Sequence, residues 1–276
     1  MEPGFYTDLS NEGYHSSPGI SKSGLDEVSK CPALYKARYL DGVAKKETAA
    51  MLDGRALHVS VLEPEKFSAT YAVCPKCDKR TTKGKEAWES FCVQNAGKEI
   101  VTPDDYDKYM RIAESVRANQ RAAAILAQGQ AETSMFHIDE PTGELVKVRP
   151  DWFVEDVLVD LKFMASAHPQ AFSRECYSRR YYVQSAFYPY VAGAVLKREF
   201  NSFIFIVVEK EPPFLVSLYE ADEDMIRIGT EEYRANLQVY ADCKRAAYWP
   251  GYNDGNIVPV SLPRWAMPKD IIYDNF

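Results

Sequence analysis

The sequence predicts an α/β (α+β) fold, a mixed central β-sheet flanked by helices. Two observations carry that expectation. Hydrophobic periodicities follow the order helices, strands, helix, strands, helix, so the two kinds of element interleave instead of separating into blocks. The chain also has 276 residues, 46% hydrophobic and 26% charged, which is enough apolar material for one large core. No internal repeat or low-complexity linker interrupts it, so a single domain over 1–276 is expected. Its parts are a helical region over about 1–130, a sheet core over about 131–220, and a last helix and tail over about 221–276.

Taken in order, "GISKSGLDEVSKCPALYKARYL" reads as a helix after a Pro-Gly turn. Ser23 with Asp26 three residues on resembles a capping box, with aspartate in the usual place of glutamate. A second helix spans about Thr48 to Leu62 and leads into a basic loop, "CPKCDKRTTKGK". "TPDDYDKYMRIAESVRANQRAAAIL" is a helix capped by Thr102 with Pro103 at its first position. Tyr106, Tyr109, Ala113 and Val116 fall on one face of it. Three strand-like runs follow, "ETSMFHI", "LVKVRPDWF" and "DVLVDLKF", the first two joined by the turn "DEPTGE". "YYVQSAFYPYVAGAVLK" is apolar nearly all round and so predicts a buried helix. Two more strands, "SFIFIVVEK" and "FLVSLYEA", flank a Pro-Pro turn. A long last helix places Ile226, Gly229, Tyr233, Leu237 and Tyr240 on one stripe.

The amino terminus is polar and turn-rich, unlike a signal peptide, and the longest apolar runs are too short for a bilayer. A cytoplasmic protein without membrane partners is therefore expected. Six cysteines in such a chain do not imply a disulfide framework. Cys74 and Cys77 form one CxxC, but a structural zinc site needs a second pair, which the spacing does not supply. The formal charge of −7 argues against broad nonspecific adhesion to nucleic acid but leaves room for a local basic groove. Lys76, Lys79, Arg80, Lys83 and Lys85 form one cationic group; Arg174, Arg179 and Arg180 form another. Each reads equally as a DNA contact or as a solvated charged face.

In "DVLVDLKF" Val157, Val159, Leu161 and Phe163 point to one side of the strand. Leu158, Asp160, Lys162 and Met164 point to the other. Asp151 ends the preceding run and approaches the same point. Carboxylates facing one spot repel unless a divalent cation lies between them, and hard oxygen ligands suit Mg²⁺, with Mn²⁺ as its substitute. A plain Asp160–Lys162 ion pair on a half-exposed strand is the competing reading.

Pro150-Asp151 followed by Asp160-Leu161-Lys162 matches the motif of the PD-(D/E)xK nucleases, which share a restriction-endonuclease-like core. "GRALHVSVLEPEKF" resembles the Gly-xxx-His helix of the RecB-like group, and "QSAFY" resembles its Gln-xxx-Tyr motif, with Gln184 and Tyr188 one turn apart. Together with "YHSSPGISKSGLDEVSKCPALYKARYLDG", "KRTTKGKEAWESF" and "TGELVKVRPDWF", the chain is similar over most of its length to the RecE (exonuclease VIII) nuclease domains of prophages. The second acid is aspartate where many members have glutamate, a departure the motif allows.

The resemblance implies a Mg²⁺-dependent 5′→3′ exonuclease on linear double-stranded DNA, leaving 3′ single-stranded tails for a strand-annealing recombinase partner. It also implies a ring-like homo-oligomer, with a tetramer expected. By the same resemblance Asp151, Asp160, His58 and the Leu161 backbone carbonyl are metal ligands. Lys162 positions the nucleophilic water and stabilises transition-state charge. Gln184 and Tyr188 brace the lysine or touch DNA, and for Tyr188 a packing role stands beside that one. Glu132 is an additional acid near a second metal or else a surface strand residue. Ser21 and Ser23 hold a terminal 5′-phosphate at a helix amino terminus, or Ser23 simply caps that helix. Two alternatives are a single-strand nuclease like the CRISPR-associated RecB-like group, for which the cysteine pattern is wrong, and a non-catalytic DNA-binding or assembly protein on the same fold.

Overall fold

The structure is a computed structural model describing residues 1–43 and 46–267. Its amino-terminal part holds more than helices. Strand β1 (Gly4–Tyr6) precedes α1 (Asn11–Ser16) and α2 (Lys22–Lys30). Ser21, not Ser23, caps α2 by accepting from the Gly24 N–H, while Ser23 is exposed. The expected continuous helix stops at Cys31, because Pro32 cannot supply the next N–H; it starts α3 (Pro32–Tyr35) instead. Helices α4 (Ala49–Leu62) and α5 (Pro64–Thr70) lead to β2 (Tyr71–Val73), α6 (Thr82–Gln94) and β3 (Glu99–Val101), with β2 and β3 paired in parallel.

Thr102 and Pro103 open α7 (Pro103–Ala118) as their chemistry predicts. The periodic run is not one helix, however. Asn119 adopts an extended backbone and turns its amide oxygen onto the Ala122 N–H, ending α7 and capping α8 (Gln120–Leu126).

Strands β4 (Gln130–Ala131), β5 (Ser134–Asp139) and β6 (Glu144–Val148) follow, then β7 (Trp152–Val154) and β8 (Val157–Met164). The run "LVKVRPDWF" is therefore two strands in two sheets. Pro150 has no N–H for a ladder, and the chain crosses there from the β1–β5–β6 sheet into the central one. After α9 (Pro169–Ser178) and α10 (Tyr181–Leu196), β9 (Ser202–Glu209) and β10 (Val216–Glu220) complete a five-stranded sheet ordered β10–β9–β8–β7–β4. Only β8 and β9 are parallel. Helix α11 (Glu223–Ala246) follows, and then two short 3₁₀ turns, Tyr252–Gly255 and Arg264–Ala266.

The alternation in β8 divides the interior as read from sequence. Val159 and Leu161 join the core under α4 and α7, whereas Leu158 joins the core under α2, α10 and α11. Asp160 and Lys162 thus lie beneath α10, inside the protein. Helices α10 and α11 cross closely where Gly229 meets the Tyr182 carbonyl. A Cβ at Gly229 would lie 2.0 Å from that oxygen. No described helix is long and apolar enough to cross a membrane.

Candidate active site

Strand β7 pairs with β8 only as far as Trp152 opposite Val159, so beyond that point one edge of β8 has no strand neighbour in register among the described residues. The next residue back from Trp152 is Asp151. Its Oδ2 accepts the Leu161 N–H at 2.7 Å, which fixes the carboxylate against the open edge. On the same edge the Leu161 carbonyl accepts from His58 Nε2 at 2.9 Å, and that nitrogen lies 3.7 Å from Asp151 Oδ2. His58 comes from α4, its ring 5.4 Å from that of Phe163. Glu132, just after β4, completes the group. One ligand atom each from His58, Glu132 and Asp151 lies within 4.8 Å of the others.

Glu132 is held by two devices. Its backbone is left-handed, with φ of +52°, and its N–H donates to the Asp151 carbonyl at 3.1 Å. Its carboxylate takes the Arg149 Nε–H at 2.7 Å. Across β8, Asp160 meets Lys162 Nζ at 2.5 Å through Oδ2 and the Gln184 amide at 2.5 Å through Oδ1. Gln184 Oε1 in turn lies 3.5 Å from Lys162 Nζ, and the ammonium sits 4.5 Å from the Tyr181 ring centroid. The competing reading, an ion pair of Asp160 and Lys162, is thus present, with Asp160 buried, beside a three-residue ligand group that does not include Asp160, the acid expected as a ligand.

The electrostatics follow from these neighbours. Burial and the Asp160 charge push the Asp151 carboxyl up to about 7, against the opposing pull of Lys162 and the Leu161 N–H. Burial and Asp151 raise Glu132, with His58 and Arg149 opposing. Burial lowers His58, favouring the neutral imidazole a metal requires. Burial also disfavours charge on Lys162, but Asp160 and Asp151 outweigh it and keep the ammonium protonated. Burial raises the Tyr188 hydroxyl well above its ordinary range, assisted by Tyr14 and the three acids. Neutral imidazole, two carboxylates and a backbone carbonyl make a donor set that fits a hard divalent cation, whose charge would offset the burial and the neighbouring negative charge that now raise both acids.

The remaining expected residues scatter more widely. Tyr188 packs its ring 6.3 Å from Phe203 and is half-buried. Ser21 and Ser23 lie at the start of α2, where Lys22 is buried against the Arg179 carbonyl and Asp26. Arg180 is tied to Asp26 and Glu232, and Arg179 to Glu175, while Arg174 is exposed. Lys76, Lys79, Arg80, Lys83 and Lys85 are exposed around the start of α6. Lys79 sits 3.0 Å from the Trp88 ring centroid and Lys76 4.0 Å from Asp104. Sequence reasoning missed Arg149 as the clamp on Glu132 and Tyr181 as the ring beneath Lys162. The second was available from spacing, since Tyr181, Gln184 and Tyr188 lie at i, i+3 and i+7 on one helix.

Comparison with known families gives a match over residues 21–257 to the PDDEXK-like domain of unknown function, DUF3799. No curated protein matches. Among solved structures, a protein of Eubacterium rectale provisionally described as an exonuclease is similar at 14% identity, with a TM-score of 0.64, covering 93% of this chain and 96% of its own. That likeness is one of fold. An alkaline exonuclease of Laribacter hongkongensis is also 14% identical, covering 86% of this chain and 94% of its own, but its TM-score of 0.31 carries no argument.

Proposed function

The chain belongs to the PDDEXK-like domain family DUF3799, and from that premise we propose that it is a divalent-metal-dependent exonuclease acting on linear double-stranded DNA. The single observation that carries this reading is the convergence of His58, Glu132 and Asp151 within 4.8 Å at the open edge of β8, one residue from Lys162. His58, Asp151 and the Leu161 carbonyl would hold a Mg²⁺ or Mn²⁺ ion, with Glu132 and Asp160 as further acids. Such an ion supplies Lewis-acid polarisation of the scissile phosphate and a more acidic water.

The protein's own groups do the rest. Asp160 and Gln184 fix Lys162, whose remaining ammonium hydrogens point a water at the phosphorus and offset charge growing on the phosphoryl oxygens. Arg149 holds Glu132 at its position, so that the acid does not swing into solvent. Ser21 and Ser23 at the start of α2 would receive the terminal phosphate of a 5′ end, aided by the helix N–H groups. Polarity from the 5′ end, a ring-like homo-oligomer and a strand-annealing partner are supported by the resemblance to RecE-type domains.

The test uses linear duplex labelled at either end beside a closed circle, with Mg²⁺ and with EDTA. We expect mononucleotide release from the 5′ label on linear DNA only, and none in EDTA. Nicking of the circle, or activity persisting in excess chelator, would overturn the reading.

A further inference from the structure

An open cleft of about 390 Å³ adjoins the metal-ligand group, at the small end of the roughly 300–1,000 Å³ typical of ligand sites. Its place follows from chain neighbours. Ala131 and Thr133 flank Glu132, Trp152 follows Asp151, and Leu62 lies one turn of α4 beyond His58. Each member of the ligand group thus has a cleft-wall residue beside it in the chain or one helical turn on. Leu62, Ala131 and the Trp152 indole form its apolar part, and Gln130, Glu63 and Glu65 its polar part.

The chemistry of this wall selects its occupant. Among the described residues no lysine or arginine lines the cleft; Glu63 is engaged by Lys66 outside it, and Glu65 remains as a free carboxylate that would repel a phosphate. An aromatic ring beside an amide and carboxylate acceptors suits a flat heterocycle carrying an amino group. Trp152 is also held for such a role. Its indole N–H donates to the Gln128 carbonyl at 2.9 Å, and the backbone at Gly129 passes so near that a Cβ there would lie 2.6 Å from Nε1. Trp152 packs in part against the core under α4 and α7 and also lines the cleft, and among the described residues no other aromatic ring stacks on it. Protein–base stacking of this kind tolerates every base, because each has a π-face.

We propose that this cleft receives a nucleobase of the bound strand next to the scissile phosphate, stacked on Trp152, with Gln130 and Glu65 favouring the amino-bearing bases over thymine. The inference rests on the nuclease reading, since it takes DNA as the ligand. By holding one base, the cleft would set how far the strand end reaches past the metal group.

The experiment uses wild-type protein in Ca²⁺ with duplexes carrying 5-iododeoxycytidine at each of the first few positions from one end. After irradiation, cross-linked peptides are mapped by mass spectrometry, and binding is measured on the same duplexes. We expect one position to cross-link to Trp152. In parallel, Trp152→Leu should raise KM roughly tenfold with little change in kcat, and Trp152→Phe should restore it. If Trp152→Leu fails to fold, Gln130→Ala carries this arm and should narrow the preference for cytosine over thymine at the cross-linked position. Bound DNA that cross-links at no position to Trp152, or kinetic losses confined to kcat, would overturn the proposal while leaving the nuclease reading intact. Absence of DNA cleavage by wild type in Mg²⁺ would instead remove the nuclease reading, whatever the cross-links show.

Discussion

Asp151 carries the sharpest expectation, because its carboxyl is pushed up to about 7 by burial and by Asp160. A raised folded-state value means that the folded protein binds the proton more tightly than the unfolded chain. Without metal, this group lowers stability progressively as pH rises from about 4 to about 7, and the full penalty persists above that. Melting of EDTA-treated protein should therefore show Asp151→Asn more stable than wild type at pH 8, with the advantage fading at pH 5. Excess Mn²⁺ should stabilise wild type and not the variant, with affinity rising up to tenfold per pH unit until about 7. Equal melting of the two proteins at both pH values would show that Asp151 does not stand in a repelling field. Lys162 gives a second test of the residue arrangement. Lys162→Ala should keep Mn²⁺ binding and lose turnover by about a hundredfold or more, the scale for a positioned proton-transfer or electrostatic group. Calorimetry showing metal binding lost with turnover retained would reduce the lysine to a structural partner of Asp160.

At the scale of elements, the two helices carrying and supporting Gln184 must keep their spacing. Gly229 is where α11 admits the Tyr182 carbonyl of α10, so Gly229→Ala should force the pair apart. Overpacking of this kind costs about 1–3 kcal/mol and should appear as a fall of several degrees in melting temperature; an unchanged melt would refute the close crossing. The stripe Ile226, Gly229, Tyr233, Leu237 and Tyr240 was legible in sequence because a helix repeats its contacts every three or four residues; the last four are buried and Ile226 is partly exposed. The faces of β8, and with them Asp160 and Lys162, were legible for the equivalent reason at period two. Other features depend on partners distant in the chain. Strand β1 exists because Phe5 pairs with Met135. The division of "LVKVRPDWF" follows from which sheet each half joins. Pro150 hinted at that break, while nothing local announced that β6 would bond to Ile20. Glu132 was named as an acid, but its left-handed backbone and its Arg149 clamp arise only when β4 lies beside β7.

For the molecule as a whole, the proposed function requires an acidic chain of formal charge −7 to attract DNA through local positive surface. Several cations near the site are already committed. Arg55 pairs with Glu47 and Glu99, Arg180 with Asp26 and Glu232, and Lys147 spends its ammonium on the Tyr14 and Ser17 carbonyls at 2.7 and 2.6 Å. The exposed group around the start of α6 is a better candidate. Its position can be followed through α7, which runs beside α4 in the same direction, Tyr109 bonding Asp53 and Arg117 bonding the Ser60 carbonyl. Lys76 meets Asp104 at the start of α7, which puts the loop roughly 15 Å before His58 along α4, at 1.5 Å per residue. That separation suits contact with duplex ahead of the cleaved end, not with the scissile phosphate. Arg80, Lys83 and Lys85 replaced together by alanine should thus weaken duplex binding and reduce the log–log salt slope by up to about three, near 0.9 per phosphate contact. Lys79 is left in place because its ammonium lies over Trp88. Turnover of saturating DNA should change little, since the loop is remote from His58, Glu132 and Asp151. A slope unchanged in the triple variant would make this loop a solvated surface and shift the search to Arg174 and Arg179, beyond the end of β8.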